Sequence, residues 1–212
     1  MRLILIGPPG VGKGTQATLL KERTGALPIS SGDLFRAEMC AGTELGNLAK
    51  SYVERGQLVP DEVTIGMMRR RLAKPDVRER GFILDGFPRT LGQAEGLDHL
   101  LSELGLELGQ AVLFEVPEDV VVARLGGRLT CPSCGEVFHR VNRPPKVDGV
   151  CDRCGSALAV RKDDQPETIR ERMRVFREAT APLADYYERL GLLRRVNGSG
   201  APEAVYQEIV RP

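Results

Sequence analysis

Residues 7–15 read Gly-Pro-Pro-Gly-Val-Gly-Lys-Gly-Thr and follow directly on the apolar run Leu3-Ile4-Leu5-Ile6. Gly7, Gly10, Gly12 and Gly14 let the backbone turn tightly and aim its N–H groups inward at a polyphosphate. Lys13 adds a point charge for the β- and γ-phosphates, and Thr15 a hydroxyl for a magnesium ion. A helix starting near Lys13 offers the positive end of its dipole to the same anion. The strict form of the motif has Ser or Thr right after the lysine. Here Gly14 intervenes and the hydroxyl comes one residue later.

A second set of chemistry-bearing residues is Cys131-Pro-Ser-Cys134 and Cys151-Asp-Arg-Cys154, two Cys-x-x-Cys knuckles with sixteen residues between them. Each is followed by a glycine, Gly135 and Gly155. Four thiolates close a tetrahedral zinc shell and leave no position for water, so the expected metal is structural. A redox dithiol is the alternative, but it needs only one knuckle. His139 lies between the knuckles and is surplus to a four-cysteine site. Cys40 stands alone and is expected to be buried or half-exposed.

A third run, Phe82-Ile-Leu-Asp85-Gly-Phe-Pro-Arg89-Thr90, reads as a strand ending in an acid and then a turn carrying an arginine. Asp85 is placed to hold magnesium, through water, beside the phosphate loop. Thr90 with Gln93 has the spacing of a helix capping box. So does Asp164 with Glu167, where Pro166 fits the first turn.

The elements that must position these groups are β-rich runs at 2–6, 27–30, 82–85, 111–116 and 192–196, mostly continuous apolar stretches as in a sheet buried on both faces. Helical patterns lie between them at 13–24, 61–73, 91–104, 118–127, 167–190 and 202–210. Pro182 falls inside the fifth of these and should kink or end it near Ala181. Alternating strands and helices predict an α/β fold with a parallel sheet and right-handed crossovers. Residues 31–59 and 129–160 break the rhythm and read as insertions near the carboxyl ends of the strands, where ligands bind.

Composition narrows the function classes. A chain of 212 residues with 42% apolar and 28% charged residues is ordinary for one globular domain with insertions. A net charge of +1 and 5% aromatic residues, with no Trp, argue against a broad nucleic-acid surface. The 24 Arg against 6 Lys suit phosphate recognition, because guanidinium forks match phosphate oxygens. No stretch has the length of a membrane span, and a strand from residue 2 leaves no room for a signal peptide, so the expectation is a soluble cytoplasmic protein.

Taken together, the glycine-rich loop, Ile29-Ser-Ser-Gly-Asp-Leu-Phe-Arg36 and the Asp85–Gln93 run closely resemble adenylate kinase over the whole chain. Arg124, Gly127-Arg128, Arg161-Lys-Asp-Asp164 and Arg172 extend the match. The likeness is to the long bacterial form whose lid is held by zinc. It implies a P-loop nucleoside monophosphate kinase fold, with a five-stranded parallel sheet flanked by helices. It further implies a helical AMP-binding insertion at 30–59 and a zinc-bound lid at 127–163, with core segments at 1–29, 60–126 and 164–212.

The implied reaction is ATP + AMP ⇌ 2 ADP with magnesium, a step in purine nucleotide homeostasis. The implied protein is a monomer with no nucleic-acid or membrane partner. By the same resemblance Lys13, Arg89, Arg128, Arg161 and Arg172 surround the transferring phosphoryl group. The ATP site is Gly10, Val11, Gly12, Lys13, Gly14 and Thr15 with Arg124 and Arg128. Arg36 and Arg89 hold the AMP phosphate, with Ser31, Gln57, Leu58, Val59, Gly86, Arg161 and Arg172 in the same AMP site. Gln93 reads the adenine edge, and Thr15, Asp33 and Asp85 form the magnesium shell.

Local chemistry leaves some roles double. Gln93 also completes the Thr90 capping box, Asp33 also sits where Ser30 caps a helix, and Asp163 and Asp164 also suit a hinge and a cap. The chain departs from the family pattern at Ser31, more often Thr, at Arg143, usually Asn before Pro-Pro, and at Asn197, usually Asp. Three other readings stay in view: a monophosphate kinase selective for UMP, CMP or GMP, a P-loop protein whose knuckles bind nucleic acid, and a zinc-dependent structural or interaction module, which the complete glycine loop disfavours.

Overall fold

A computed structural model describes residues 1–211. Its centre is a parallel sheet of five strands: β1 (Arg2–Ile6), β2 (Leu27–Ser30), β3 (Phe82–Asp85), β4 (Gln110–Glu115) and, last in the chain, Leu193–Asn197. The spatial order is β2, β3, β1, β4 and the Leu193–Asn197 strand. The last two strands are offset by one residue from the expected bounds. β1 is central, and its run is apolar because both faces are covered. Ile4 and Ile6 point to one side, among Leu84, Leu97 and Tyr187, while Leu3 and Leu5 point to the other, among Leu20, Val205 and Ile209.

The register decides where the chemistry goes. Asp85 pairs with Leu5 of β1 and with Ser30 of β2. The carboxyl ends of the three strands therefore lie side by side, and the loops that leave them share one rim. Chain connections run to opposite sides of β1 here, which opens the crevice in which α/β sheets bind ligands.

Helix α1 (Lys13–Thr24) starts straight out of the glycine loop. Gly12 at its N-cap has φ 108°, a left-handed conformation that a side chain would strain, and no side chain caps the helix. Its first-turn N–H groups are left free for an anion. Segment 31–59 folds as α2 (Ser31–Ala41) and α3 (Glu44–Val53), and Ser30 caps α2 by accepting from the Asp33 N–H at 3.2 Å. Helix α4 (Asp61–Leu72) follows, then a short α5 (Pro75–Arg80) that the apolar pattern did not reveal. Helices α6 (Leu91–Glu103) and α7 (Glu118–Gly126) flank β4 in sequence.

The lid segment carries two short antiparallel strands, β5 (Arg128–Thr130) and β6 (Val137–His139), over a small cluster of Leu129, Phe138, Cys131 and Cys151. The chain then enters a 3₁₀ turn at Lys162–Asp164 and helix α8 (Pro166–Val175). Pro182 does not simply end this helix. Lacking an N–H, it is absorbed by one wide π turn over Phe176–Thr180, in which the Ala181 N–H reaches back to the Phe176 carbonyl at 2.8 Å. Helix α9 (Leu183–Arg189) resumes beyond it, and after the last strand, β7 (Leu193–Asn197), α10 (Pro202–Val210) closes the fold. Among the described residues no helix is long and apolar enough to cross a membrane.

Candidate active site

Lys13 occupies the first helical position of α1, half-buried beneath the glycine loop. Its Nζ donates to the carbonyls of Gly7 (2.7 Å) and Pro8 (2.8 Å). Burial pushes its pKa down to about 8, with Asp85 opposing the shift and the charges of Arg89, Arg172 and Arg128 adding to it. Four of the five expected catalytic cations thus feel one another. The fifth, Arg161, lies beside Arg36 and Arg128, and burial together with those charges lowers it to about 10. Burial and the neighbouring Arg172 lower Arg89 to about 10 as well. Burial is the first cause of these shifts, and the neighbouring cations deepen them although Asp85, Asp163 and Asp33 pull the other way, so the cluster keeps an excess of positive charge.

Four carboxylates share the space. Asp164 has no exposed side-chain surface, and its Oδ1 and Oδ2 take a bidentate fork from Arg128 at 2.5 and 2.7 Å. Arg172 donates to the same Oδ1 at 2.9 Å and to an oxygen of Asp163 at 3.0 Å. This corrects the capping role read for Asp164 in the sequence. Gln165 stands at the N-cap of α8 and makes no side-chain bond, while Pro166 sits in the first turn as expected. Two guanidinium groups hold a carboxylate more strongly than a backbone N–H does, so the charge pair wins. Burial works against ionised Asp163, but the charges of Arg172, Arg36, Arg128 and Arg161 outweigh it and keep its pKa below the usual range. The adjacency Arg161-Lys-Asp-Asp164 was the available signal that these acids serve arginines.

Arg161 is steadied by its Nε bond to Thr130 Oγ1 at 2.9 Å. Arg36 forms an ion pair with Asp33 one helical turn away. Asp33 and Asp85 line a cavity of about 330 Å³ with Gly14, Thr18 and Ser30. Carboxylates facing an open cavity, with Thr15 on the first turn of α1, fit a hard cation that keeps several waters, as magnesium does.

Ser31 supplies its hydroxyl to the Gly86 carbonyl at 2.5 Å, tying α2 to the loop after β3. Gln57 is exposed, Leu58 half-buried and Val59 buried in the main core, on the segment that returns from α3 to α4. Arg124 of α7 donates to the carbonyls of Val11 (3.1 Å), Gly198 (2.9 Å) and Ser199 (3.3 Å). It bridges the phosphate loop and the loop around Asn197, the far end of the expected ATP site.

Gln93 is buried, and both ends of its amide are occupied. Oε1 accepts from the Arg89 N–H at 2.8 Å, and Nε2 donates to Asp61 at 2.7 Å. Thr90 Oγ1 caps α6 by accepting from the Gln93 N–H at 3.0 Å. Only half of the capping box forms: Thr90 caps the helix, but the Gln93 amide oxygen takes the Arg89 N–H rather than the Thr90 N–H that would complete the box. The partner Asp61 was missed in the sequence, since it lies 32 residues away at the start of α4.

In the lid the four Sγ atoms of Cys131, Cys134, Cys151 and Cys154 lie within 4.8 Å of one another. The pairs Cys131–Cys154 and Cys134–Cys151 are 3.4 and 3.6 Å apart. A zinc ion at about 2.3 Å from each sulfur sets their spacing near 3.8 Å, so the donor set fits zinc. The two knuckles are built alike: Gly135 and Gly155 both have φ 75° and donate back to Cys131 and Cys151 at 3.0 and 2.9 Å. His139 is outside the cluster, its Nδ1 accepting from the Val141 and Asn142 N–H groups. Cys40 is exposed at the end of α2, where the sequence suggested at least partial burial.

A sequence model of the adenylate kinase family matches residues 5–192. The chain belongs to the adenylate kinase family. It is 51% identical over 209 residues to the adenylate kinase of Archaeoglobus fulgidus, covering 99% of this chain and 96% of that protein. The adenylate kinase of Thermodesulfovibrio yellowstonii is 50% identical, with 99% and 97% covered. That of Acidothermus cellulolyticus is 51% identical, with 97% and 94% covered. Membership in the adenylate kinase family makes the chain a nucleoside monophosphate kinase, and the sheet and four-cysteine lid described above are consistent with it.

Proposed function

We propose that the cation cluster at the strand rim is where this chain transfers a phosphoryl group from ATP to AMP, reversibly and with magnesium, to give two ADP. Family membership carries the reaction and its place in purine nucleotide homeostasis. The observation that supports these particular residues is that Lys13, Arg89, Arg161 and Arg172 are all lowered, first by burial and then by neighbouring cations that include Arg36 and Arg128, in one partly dry space. Phosphoryl transfer asks a protein mainly to align two phosphates and neutralise spread charge, which such a cluster does without a strong base.

In this reading the N–H groups of Gly10, Gly12, Gly14 and Thr15 cradle the ATP phosphates, with Val11, whose N–H donates to the Pro8 carbonyl at 3.4 Å, in the same loop, and Lys13 swings from its loop carbonyls onto them. Arg124 and Arg128 complete the ATP side. Arg36 and Arg89 grip the AMP phosphate. Arg161 and Arg172 span the two nucleotides, held in place by Thr130, Asp163 and Asp164. Ser31, Gly86 and Gln93 with the 57–59 segment surround the AMP nucleoside. Magnesium, held by Thr15, Asp33 and Asp85, supplies charge compensation for the β- and γ-phosphates. Segments 30–59 and 127–163 act as the AMP-binding insertion and the lid, on a core of 1–29, 60–126 and 164–212. A closed lid excludes water that would otherwise hydrolyse ATP. Zinc ties the lid together and takes no part in the transfer. The protein works as a cytoplasmic monomer whose substrates are nucleotides, with no nucleic-acid or membrane partner.

The test is a coupled assay with ATP against AMP, GMP, CMP and UMP. AMP gives the highest kcat/KM, because a site that pairs with the adenine edge leaves polar groups unpaired against other bases. Equal kcat/KM for CMP and AMP would move the chain to the pyrimidine branch of monophosphate kinases.

A further inference from the structure

Arg89 is gripped at three points that leave its business end free. Its N–H is held by Gln93 Oε1 at 2.8 Å, its carbonyl accepts from Thr180 Oγ1 at 2.9 Å, and its Nε donates to the Gly86 carbonyl at 2.8 Å. Its two terminal guanidinium nitrogens have no partner among the described residues. The backbone on both sides of the residue is therefore fixed while the fork stays open.

Thr180 is the unexpected member of this set. It is buried, and it ends the π turn that accommodates Pro182. A threonine within a helix ordinarily turns its hydroxyl back to a carbonyl of the preceding turn. This one instead reaches 91 residues along the chain to the loop that follows β3. Wide turns of this kind recur at functional sites, where they re-aim a side chain.

We infer that Thr180 is a positioning residue for AMP: through the carbonyl of Arg89 it aims the guanidinium fork at the AMP phosphate. The inference rests on the reading of Arg89 as the AMP-phosphate arginine. Thr180 touches no substrate. It links the π turn of the 166–189 helical stretch to the AMP side of the site, and its hydroxyl makes no hydrogen bond to the phosphate loop that serves ATP.

The decisive experiment is a set of initial-rate measurements on Thr180→Val, Thr180→Ser, Arg89→Ala and the Thr180→Val/Arg89→Ala pair, each well below its own Tm. Thr180→Val keeps the shape and removes the hydroxyl. It raises KM for AMP about tenfold while KM for ATP stays within about twofold. Thr180→Ser restores KM for AMP to within about twofold of wild type, since only the hydroxyl is needed. In the Arg89→Ala background, Thr180→Val adds no further loss toward AMP, because the two act as one unit. Should the valine variant fail to fold, Thr180→Ala takes its place with the same readings.

An unchanged KM for AMP, equal losses for ATP and AMP, or a full extra penalty in the Arg89→Ala background overturns the inference. An Arg89→Ala enzyme with normal KM for AMP overturns the phosphate reading of Arg89 instead, so the two failures are told apart.

Discussion

Folded back on the carbonyls of Gly7 and Pro8, Lys13 sits among Arg89, Arg128 and Arg172 with a pKa lowered to about 8 from the ordinary 10.5. In the unfolded chain the proton stays on until pH 10.5, so below pH 8 the buried charge costs the fold stability, and that cost is relieved as pH rises through 8 to 10.5. Function runs the other way, because the neutral amine no longer attracts phosphates. The expected pH profile of kcat/KM for ATP, which reports the free enzyme, falls above about pH 8, by up to tenfold per unit. The profile of kcat stays level to higher pH, since bound phosphates raise the lysine again. A kcat/KM profile flat up to pH 10 or so would show that Lys13 is not titrating in the free enzyme. Removal of the charges is harsher than titration. Lys13→Ala and Arg89→Ala each lower kcat/KM on the order of 10²-fold or more. Neither unfolds the chain, since each relieves a cation that its neighbours disfavour. Steady-state rates together with thermal melts check both halves of that statement.

At the scale of elements, what the sequence revealed was local. The phosphate loop, β1 and the start of α1 are encoded in one run of residues, and the Cys-x-x-Cys spacing carries its own geometry. The Thr90–Gln93 cap and Pro166 at the head of α8 were legible for the same reason. Asp164 was misread because its spacing to Glu167 is a local signal, whereas its actual partners, Arg128 and Arg172, come from elsewhere in the chain. Pro182 announced a break, but not that the break would be a π turn delivering Thr180 to Arg89. Strands β5 and β6, of three residues each, are too short for periodicity to show. They hold because the two knuckles pin them.

The lid's own core comprises little more than Leu129, Phe138 and two cysteines, so metal must supply much of its cohesion. Cys131→Ser with Cys134→Ser should bind no zinc, lower the Tm and loosen the lid to proteolysis, while much of the low-temperature activity survives. Complete loss of turnover in a folded, zinc-free protein, with no recovery on cooling, would place the metal in the chemistry instead.

At the scale of the whole molecule, the cluster couples stability to occupancy. Six cations, Lys13, Arg36, Arg89, Arg128, Arg161 and Arg172, face four carboxylates, Asp33, Asp85, Asp163 and Asp164, contributed by distant stretches of the chain. On the proposed division into lid, insertion and core, that excess of positive charge should set the three against one another until nucleotide binds, offset by exposed pairs such as Lys162–Glu54 at 3.1 Å. Pairs of that kind contribute little. Polyphosphate should reverse the sign of the interaction and draw the segments together. Magnesium ADP, which fills both nucleotide positions, should therefore stabilise the fold more than ATP or AMP alone. At about a hundred times its Kd a ligand adds about 2.7 kcal/mol, or roughly 5–10 °C of Tm for a chain of this size. The same titration followed by small-angle scattering should show the radius of gyration falling as Tm rises. In Lys13→Ala the shift with ADP should shrink although the empty protein is no less stable. An ADP shift that is as large in Lys13→Ala as in wild type, or a radius that does not change, would mean that nucleotide binds without drawing the charged segments together.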